Sequence, residues 1–591
     1  MRNTEELQTM LDEINVENIY ARTDYICATY PGRLPGTEDA KNCAQYYEKC
    51  MKEYGLETTI HKTMGYMNLP GKPVVNLLTP VEEPLRCKAN AQCGSTPVGG
   101  VTAELIFVGP GGENDYDGID AAGKIILTEL SYEPPRSEKM RLGMLHGAVG
   151  MIIMNWGPDD SDYLGNGTAK SVWGNPTPET IHMMDDSLPV FSISRKEGVR
   201  LRDLLQKGET IKVFMDYQTE RTWMPLYLPS GIVHAEHNQS GDYVLVAGHM
   251  DSWEVGASDN AAGNATALEL ARVLQNNADK LTRDVRFVFW QGHEAGQMEG
   301  STWYCDHFWD DLNSHCVMYM NIDGIGLEKA SVLHSEPAME FTPWVTELNE
   351  FSLPGWERDY CFPAKTADMS MFGIGVPSCY NWIYHTPAER KAWHNAILGL
   401  PYHSEEDTIE HIDKYVMEMG AKCDAAVLFD MTRRKILPQN YTVTAGEIIK
   451  RLGEMKKYIE NQPEAVSELD LDGAMQMAET FMQKAARVEQ KRLALEEKNE
   501  EDLEFNRILK RISRVIMPVV TTVYGKFEQD NYGLTGLKYV IPTSESVLIL
   551  SQKEQGSHEF YLWLNRARKD RNKITDAMEL AMEECDRLLA L

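Results

Sequence analysis

The residues of this sequence best suited to chemistry fall in five short stretches. They are Gly248-His249-Met250-Asp251-Ser252-Trp253, Gly256-Ala257-Ser258-Asp259-Asn260, His293-Glu294, Asn321-Ile322-Asp323 and Tyr402-His403-Ser404. Imidazole nitrogen and carboxylate oxygen are donors that zinc accepts readily, and a catalytic zinc site keeps one position open for water. A pair of divalent ions needs several such donors from different strand ends, with one carboxylate able to bridge. Taken singly, each piece has a plainer reading. A His-x-Asp is more often a surface accident than a ligand pair. Asp259 is placed to cap the helix that starts near Ala261, Asp323 to cap a turn before Gly324, and His403 to lie in a loop. The order of the pieces, each at the end of an apolar element, sets them apart.

Those elements are legible. Residues 226–440 alternate strand and helix patterns: 244–247 and 285–290 are short buried strands, and 262–275 carries apolar residues at helical spacing. Such alternation predicts a mostly parallel sheet with helices on both faces. Ligands in these sheets gather at the carboxyl ends of the strands, where the candidate residues fall. Upstream, from about residue 75, the chain is β-rich with Gly turns. Residues 103–109, 123–127, 147–155 and 188–194 read as strands, followed by a helix at 196–205. The first 75 residues hold an acidic amphipathic segment at 4–19, the run Arg33-Leu34-Pro35-Gly36-Thr37, a helix over 40–54 and a strand over 56–61. From Thr444 the chain turns helical: Thr444-Ala445-Gly446-Glu447 fits a capping box, and a last helix spans 564–589. The expected division is 1–75 and 226–440 for one α/β unit, 76–225 for an insert and 441–591 for a helical end.

Together the five stretches resemble the metal-binding constellation of the co-catalytic zinc aminopeptidases, metallopeptidase family 28, most closely the branch of glutamate carboxypeptidase II and the transferrin receptor. The elements of 76–225, with Asp115-Tyr116-x-Gly118-Ile119-Asp120 before Gly123-Lys124, resemble the protease-associated domain inserted in such peptidases. The resemblance implies an α/β fold with a doubly wound, mostly parallel sheet, a β-rich insert covering the site and a C-terminal helical domain of the kind that makes homodimers. It implies Zn2+, two ions per chain, with Mn2+ or Co2+ as alternatives. His249 and Asp323 would serve one ion, Glu294 and His403 the other, and Asp259 would bridge. Asp251 would hold and polarise the His249 ring, and Tyr402 would hydrogen-bond the developing oxyanion.

One position departs from the family. Where the branch has Glu-Glu, this chain has His293-Glu294. Aligned from the upstream strand, His293 takes the place of the general base and Glu294 that of the ligand. Aligned backward from Gly300-Ser301, Glu294 becomes the base and the ligand is lost at Ala295. The first alignment is preferred, because Trp290 and Gly296 also match. Three readings follow: amide hydrolysis with His293 as base, a metal-assisted lyase or acyl transferase, or a binding homologue without catalysis. The ligand set favours an enzyme, and a neutral imidazole is competent for proton transfer; the alternative is that His293, beside two cations, resists protonation and coordinates a metal instead. The expected substrate is a small peptide or an amino-acid derivative. His385, in Tyr384-His385-Thr386-Pro387, also resembles the last ligand motif but fits less well than His403. Arg358, Lys365 and Arg390 are read as solvated surface charge.

The bulk numbers narrow the classes. A 591-residue chain is too long for one core. A net charge of −31 argues against nucleic acid, whose binders are basic, and against an anionic membrane surface. The first residues lack the apolar core of a secretory signal, and no stretch reaches the length of a membrane span. Eleven scattered cysteines without a regular framework read as reduced thiols in a cytoplasm.

Overall fold

The computed structural model describes residues 4–130, 134–185, 187–528 and 540–591. One eight-stranded sheet carries the five chemical stretches. Its strands are β1 (Glu57–Met67), β2 (Thr222–Val233), β3 (Tyr243–His249), β4 (Asp284–Trp290), β5 (Cys316–Asn321), β6 (Val332–Ser335), β7 (Glu357–Tyr360) and β8 (Ser378–Tyr384). They lie in the order β1-β2-β4-β3-β5-β8-β6-β7. The middle four, β4, β3, β5 and β8, run parallel, with antiparallel partners beyond them on both sides. Every residue of β3 and β5 is buried, which is why their sequences are nearly continuous apolar runs rather than alternating ones. β1 extends to Met67, past the expected end at 61, because it pairs with β2 along its whole length from Glu57↔Ile232 to Met67↔Thr222.

The segment expected as one amphipathic stretch over 4–19 is two helices, Thr4–Asp12 and Val16–Thr29. The break is Asn15, whose side chain accepts from the backbone N–H of Glu17 and caps the second helix. Arg33 then turns inward. Its fully buried guanidinium donates to the carbonyls of Met250, Val255 and Gly256 at 3.0, 2.7 and 3.1 Å. The N-terminal segment is thereby fastened to the loop between His249 and Asp259. Thr37 caps the helix Glu38–Glu53 through the Ala40 N–H, and Tyr47 on that helix packs on Phe289 of β4 with ring centroids 4.6 Å apart.

The insert has its own eight-stranded sheet and its own apolar core. Val101–Phe107, Ile125–Glu129, Gly150–Met154 and Val190–Ile193 run parallel through its centre. At the C-terminal end, long helices Tyr441–Tyr458, Leu471–Lys498, Leu503–Thr521 and His558–Ala590 pack together. Two sequence expectations are corrected here. The first of these helices begins at Tyr441, capped by Asn440 through the Thr442 N–H. Thr444 therefore lies inside the first turn, buried, and forms no capping box. The last helix starts at His558, capped by Ser557 through the Phe560 N–H, rather than at 564. Among the described residues no helix is long and apolar enough to cross a membrane.

Candidate metal centre

Each chemical stretch arrives at one end of the parallel strands. His249 is the last residue of β3, Glu294 lies four residues past β4, and Asp323 lies two past β5. Asp259 sits in the turn 257–261 that leads into the helix Ala262–Asn276, its own backbone non-helical, and the Asp259–Asn260 peptide is cis. His403 comes from a loop at a positive φ of 62°.

The donor atoms converge in two groups that share one carboxylate. His249 Nε2 lies 2.8 Å from Asp259 Oδ1 and 3.5 Å from Asp323 Oδ2. His403 Nε2 lies 3.0 Å from the other Asp259 oxygen, Oδ2, and 3.2 Å from Glu294 Oε2. Both Nε2 atoms, with Asp259 Oδ2 and Glu294 Oε1, are buried without a hydrogen bond of ordinary geometry. They approach closely but off-line, as donors arranged about a common centre do. The remaining nitrogens of the two rings are committed elsewhere: His249 Nδ1 donates to the Asp251 backbone carbonyl at 2.9 Å, and His403 Nδ1 to the Asn166 carbonyl at 3.1 Å. Those bonds fix the tautomers that leave Nε2 free to ligate.

The charges make the same point. Burial alone would raise the Asp259 carboxyl, but His249 and His403 outweigh it and hold it far below its usual range. Burial alone would lower both histidines. Asp323 and Asp259 instead hold His249 well above its ordinary value, and Glu294 and Asp259 push His403 up to about 9. Imidazole nitrogen and carboxylate oxygen in this arrangement form a donor set that divalent metal ions such as zinc accept.

Around this core, Asp251 acts through both ends of the residue. Its carbonyl holds the His249 ring, while its carboxylate, 3.9 Å from Nδ1, accepts from the backbone N–H groups of His293 and Glu294 at 3.4 and 3.0 Å. Asp407 accepts from the N–H groups of Ser258 and Asp259 at 3.0 and 3.2 Å, and burial pushes its carboxyl up to about 6. Tyr402 stacks on the His403 ring, centroids 3.7 Å apart.

His293 stacks on His249 at 3.8 Å and 12°, and a donor atom of each lies within 4.8 Å of Asp323. Its Nδ1 is 3.0 Å from Asp368 Oδ2. Asp368 lies outside the five stretches. It sits in an irregular segment 75 residues downstream, and nothing local marks it. A strap from the insert, residues 166–174, is equally unmarked in the local sequence. Asn166 also donates its N–H to the His403 carbonyl at 2.9 Å, Thr168 Oγ1 donates to the Glu294 carbonyl, and Gln92 Nε2 donates to the Ala295 carbonyl at 3.0 Å. Lys170 Nζ donates to the Gly174 and Gly296 carbonyls and to Glu299 Oε1 at 2.7, 2.7 and 2.8 Å. Gly174, at φ 75°, closes the strap where a Cβ would stand 2.2 Å from Thr302 Oγ1. Other residues lie apart from the centre. His385 Nε2 donates to the Glu328 carbonyl at 2.9 Å. Arg358 pairs with Glu350 at 2.5 Å and Arg390 lies over the Tyr384 ring at 4.2 Å. Lys365, read as surface charge, is instead buried, its amine 5.0 Å from the Trp173 ring centre.

Residues 232–428 match peptidase family M28, and residues 99–201 match the PA domain. Over residues 232–428 the chain is similar to the family M28 peptidases. Among similar proteins, aminopeptidase YwaD of Bacillus subtilis (strain 168) is 25% identical over 437 residues, covering 72% of this chain and 86% of that protein. The probable glutamate carboxypeptidase VP8 of Zea mays is 24% identical over 360 residues, which is 52% of this chain and 50% of the maize protein. The fold is shared with the M28 peptidase precursor of Shewanella amazonensis SB2B, with TM-score 0.60 and 18% identity over 74% of this chain and 98% of that one. In the region of this similarity, the sheet presents His249, Glu294 and Asp323 at or just past the carboxyl ends of parallel strands.

Proposed function

We propose that this chain is a metal-dependent hydrolase of amide bonds in small peptides or N-substituted amino acids. The observation that carries the reading is Asp259, one oxygen 2.8 Å from His249 Nε2 and the other 3.0 Å from His403 Nε2. A carboxylate so shared is suited to lie between two ions, one held by His249 and Asp323, the other by His403 and Glu294. The zinc aminopeptidase of Bacillus subtilis, which shares the fold at TM-score 0.54, supports zinc as the metal. Divalent ions bound there would polarise the scissile carbonyl and acidify water.

The protein's own groups do the rest. With Nδ1–H donated to Asp368, His293 keeps its lone pair on Nε2, accepts the proton of the attacking water and returns it to the leaving amine. Asp368 holds that tautomer, as a carboxylate does behind a catalytic histidine. Asp251 fixes the backbone that carries His293 and Glu294. Tyr402, held against His403, donates to the developing oxyanion. The eleven free cysteines support a cytoplasmic setting. The exposed apolar residues Tyr561 and Leu562 of the last helix support a homodimer through the helical end.

The test is metal content and peptide turnover of the full chain beside Asp259→Ala and His293→Ala. Two ions in the parent, fewer in Asp259→Ala and a kcat lower by roughly 10²–10⁴ in His293→Ala with metal retained are expected. Unchanged turnover in His293→Ala would remove it as the base, and no turnover in the metal-loaded parent would refute the hydrolase.

A further inference from the structure

A second group of ligating side chains lies outside the centre described above, on the far strands of the same sheet. In the parallel pair β6–β7, His334 stands opposite Asp359. Side chains alternate along a strand, so His334 and Glu336 share a face with Asp359 and Cys361. His334 Nε2 is 3.1 Å from Glu336 Oε1 and 3.5 Å from Cys361 Sγ, and donor atoms of the three residues all lie within 4.8 Å of one another. On the other side of the ring, His334 Nδ1 is 3.4 Å from Asp359 Oδ2, an oxygen that also accepts from the Tyr384 hydroxyl at 2.5 Å.

In the ion-free ring Nε2–H donates to Glu336 Oε1, while Nδ1, beside Asp359, makes no hydrogen bond. With that proton moved to Nδ1, Nε2 presents a lone pair beside a carboxylate oxygen and a sulfur. Three electron-rich atoms thus face one another on a surface where His334 and Glu336 are each 8% exposed. Glu336 Oε2, also buried, makes no hydrogen bond. A proton relieves only one pair of these atoms at a time, whereas a cation relieves all three. Nitrogen, carboxylate and thiolate together are the borderline-soft set that zinc takes. Cys361 is exposed, which leaves the remaining position open to solvent.

We propose that His334, Glu336 and Cys361 bind a single divalent transition-metal ion of the Zn2+ class, at a site sharing no residue with the paired centre. Asp359 positions His334 without ligating. The paired centre offers only nitrogen and oxygen, so sulfur distinguishes the two sites spectroscopically.

The experiment titrates Co2+ alone into the full chain, stripped of metal and kept reduced. The parent and Asp259→Ala are both expected to develop a thiolate-to-cobalt charge-transfer band in the near ultraviolet. Cys361→Ser and His334→Ala are expected to lose it. Zinc bound after equilibrium dialysis should fall by one ion per chain in Cys361→Ser. Because Cys361 is exposed, that variant is expected to keep the parent's circular dichroism, and Glu336→Gln provides a second ligand change of equal volume that should also abolish the band. Cobalt binding to the parent without a sulfur band overturns the proposal, as does a band that survives Cys361→Ser or His334→Ala. Retention of the band in Asp259→Ala separates this outcome from any failure of the paired centre.

Discussion

Replacing Lys170 by Met tests whether the insert supports the ligand loop. Lys170 Nζ and Glu299 Oε1 are 2.8 Å apart with both side chains fully buried. Burial lowers the Lys170 amine and raises the Glu299 carboxyl, in each case by more than the pairing restores. The pair is therefore poorly compensated: keeping it contributes little, but halving it is costly. Lys170→Met leaves a buried carboxylate, and removing one partner of such a pair costs about 3–5 kcal/mol. Lys170→Met with Glu299→Gln removes the charge and leaves chiefly the stranded Gly174 and Gly296 carbonyls, a cost of about 1–3 kcal/mol. The double variant should thus recover roughly 2 kcal/mol of the single one. In Lys170→Met the Glu299 carboxyl keeps a folded-state pKa above its unfolded value. Stability is then fullest at low pH and lost as pH rises through the folded pKa, so the deficit should be larger at pH 8 than at pH 5. Urea unfolding at both pH values measures the cost, and hydrogen exchange over residues 290–300 locates it, since a chain of several domains does not unfold in one step. A single variant within 1 kcal/mol of the parent, or a double variant worse than the single, would refute the reasoning.

Two further outcomes concern groups that are not ligands of the paired centre. Asp424 accepts one hydrogen bond, from Asn381 at 3.3 Å, and its other oxygen has none; burial holds its carboxyl well above the usual range. Stability from this group is present below the unfolded pKa and lost as pH rises through the folded one, so Asp424→Asn should raise the Tm at pH 8 and change it little at pH 4, with a pH-independent Tm difference counting against this. Asn440→Ala should cost about 1 kcal/mol through loss of the helix cap, whereas retained stability in urea would return the cap to another residue.

What could be read from the sequence followed the locality of each signal. His249, Glu294 and Asp323 come just after apolar runs that announce buried parallel strands, so both their elements and their convergence were legible. The insert was legible from its Gly turns and strand spacing. Helix starts were less so: Thr444-x-x-Glu447 has the composition of a capping box, but Asn440 already caps that helix from four residues earlier. The supporting residues carried no local mark. Asp368 reaches His293 across 75 residues, and Asn166 reaches His403 across 237, distances that only the closed fold brings to nothing. Nothing in the run Ser331 to Cys361 suggested a thiol beside an imidazole. That proximity depends on the β6–β7 register, which pairs His334 with Asp359.

The strap of residues 166–174 also limits how this gene can be recombined. An inserted domain with its own sheet and core looks like a part that could be exchanged for another or deleted. Here Asn166, Thr168 and Lys170 donate to the backbone carbonyls of His403, Glu294 and Gly296, so the boundary of the working unit runs through the insert rather than around it. A chimera that imports a foreign insert inherits these debts unless it brings an equivalent strap. Substitutions at 166–174 and at 292–299 are therefore expected to be accepted in pairs rather than singly.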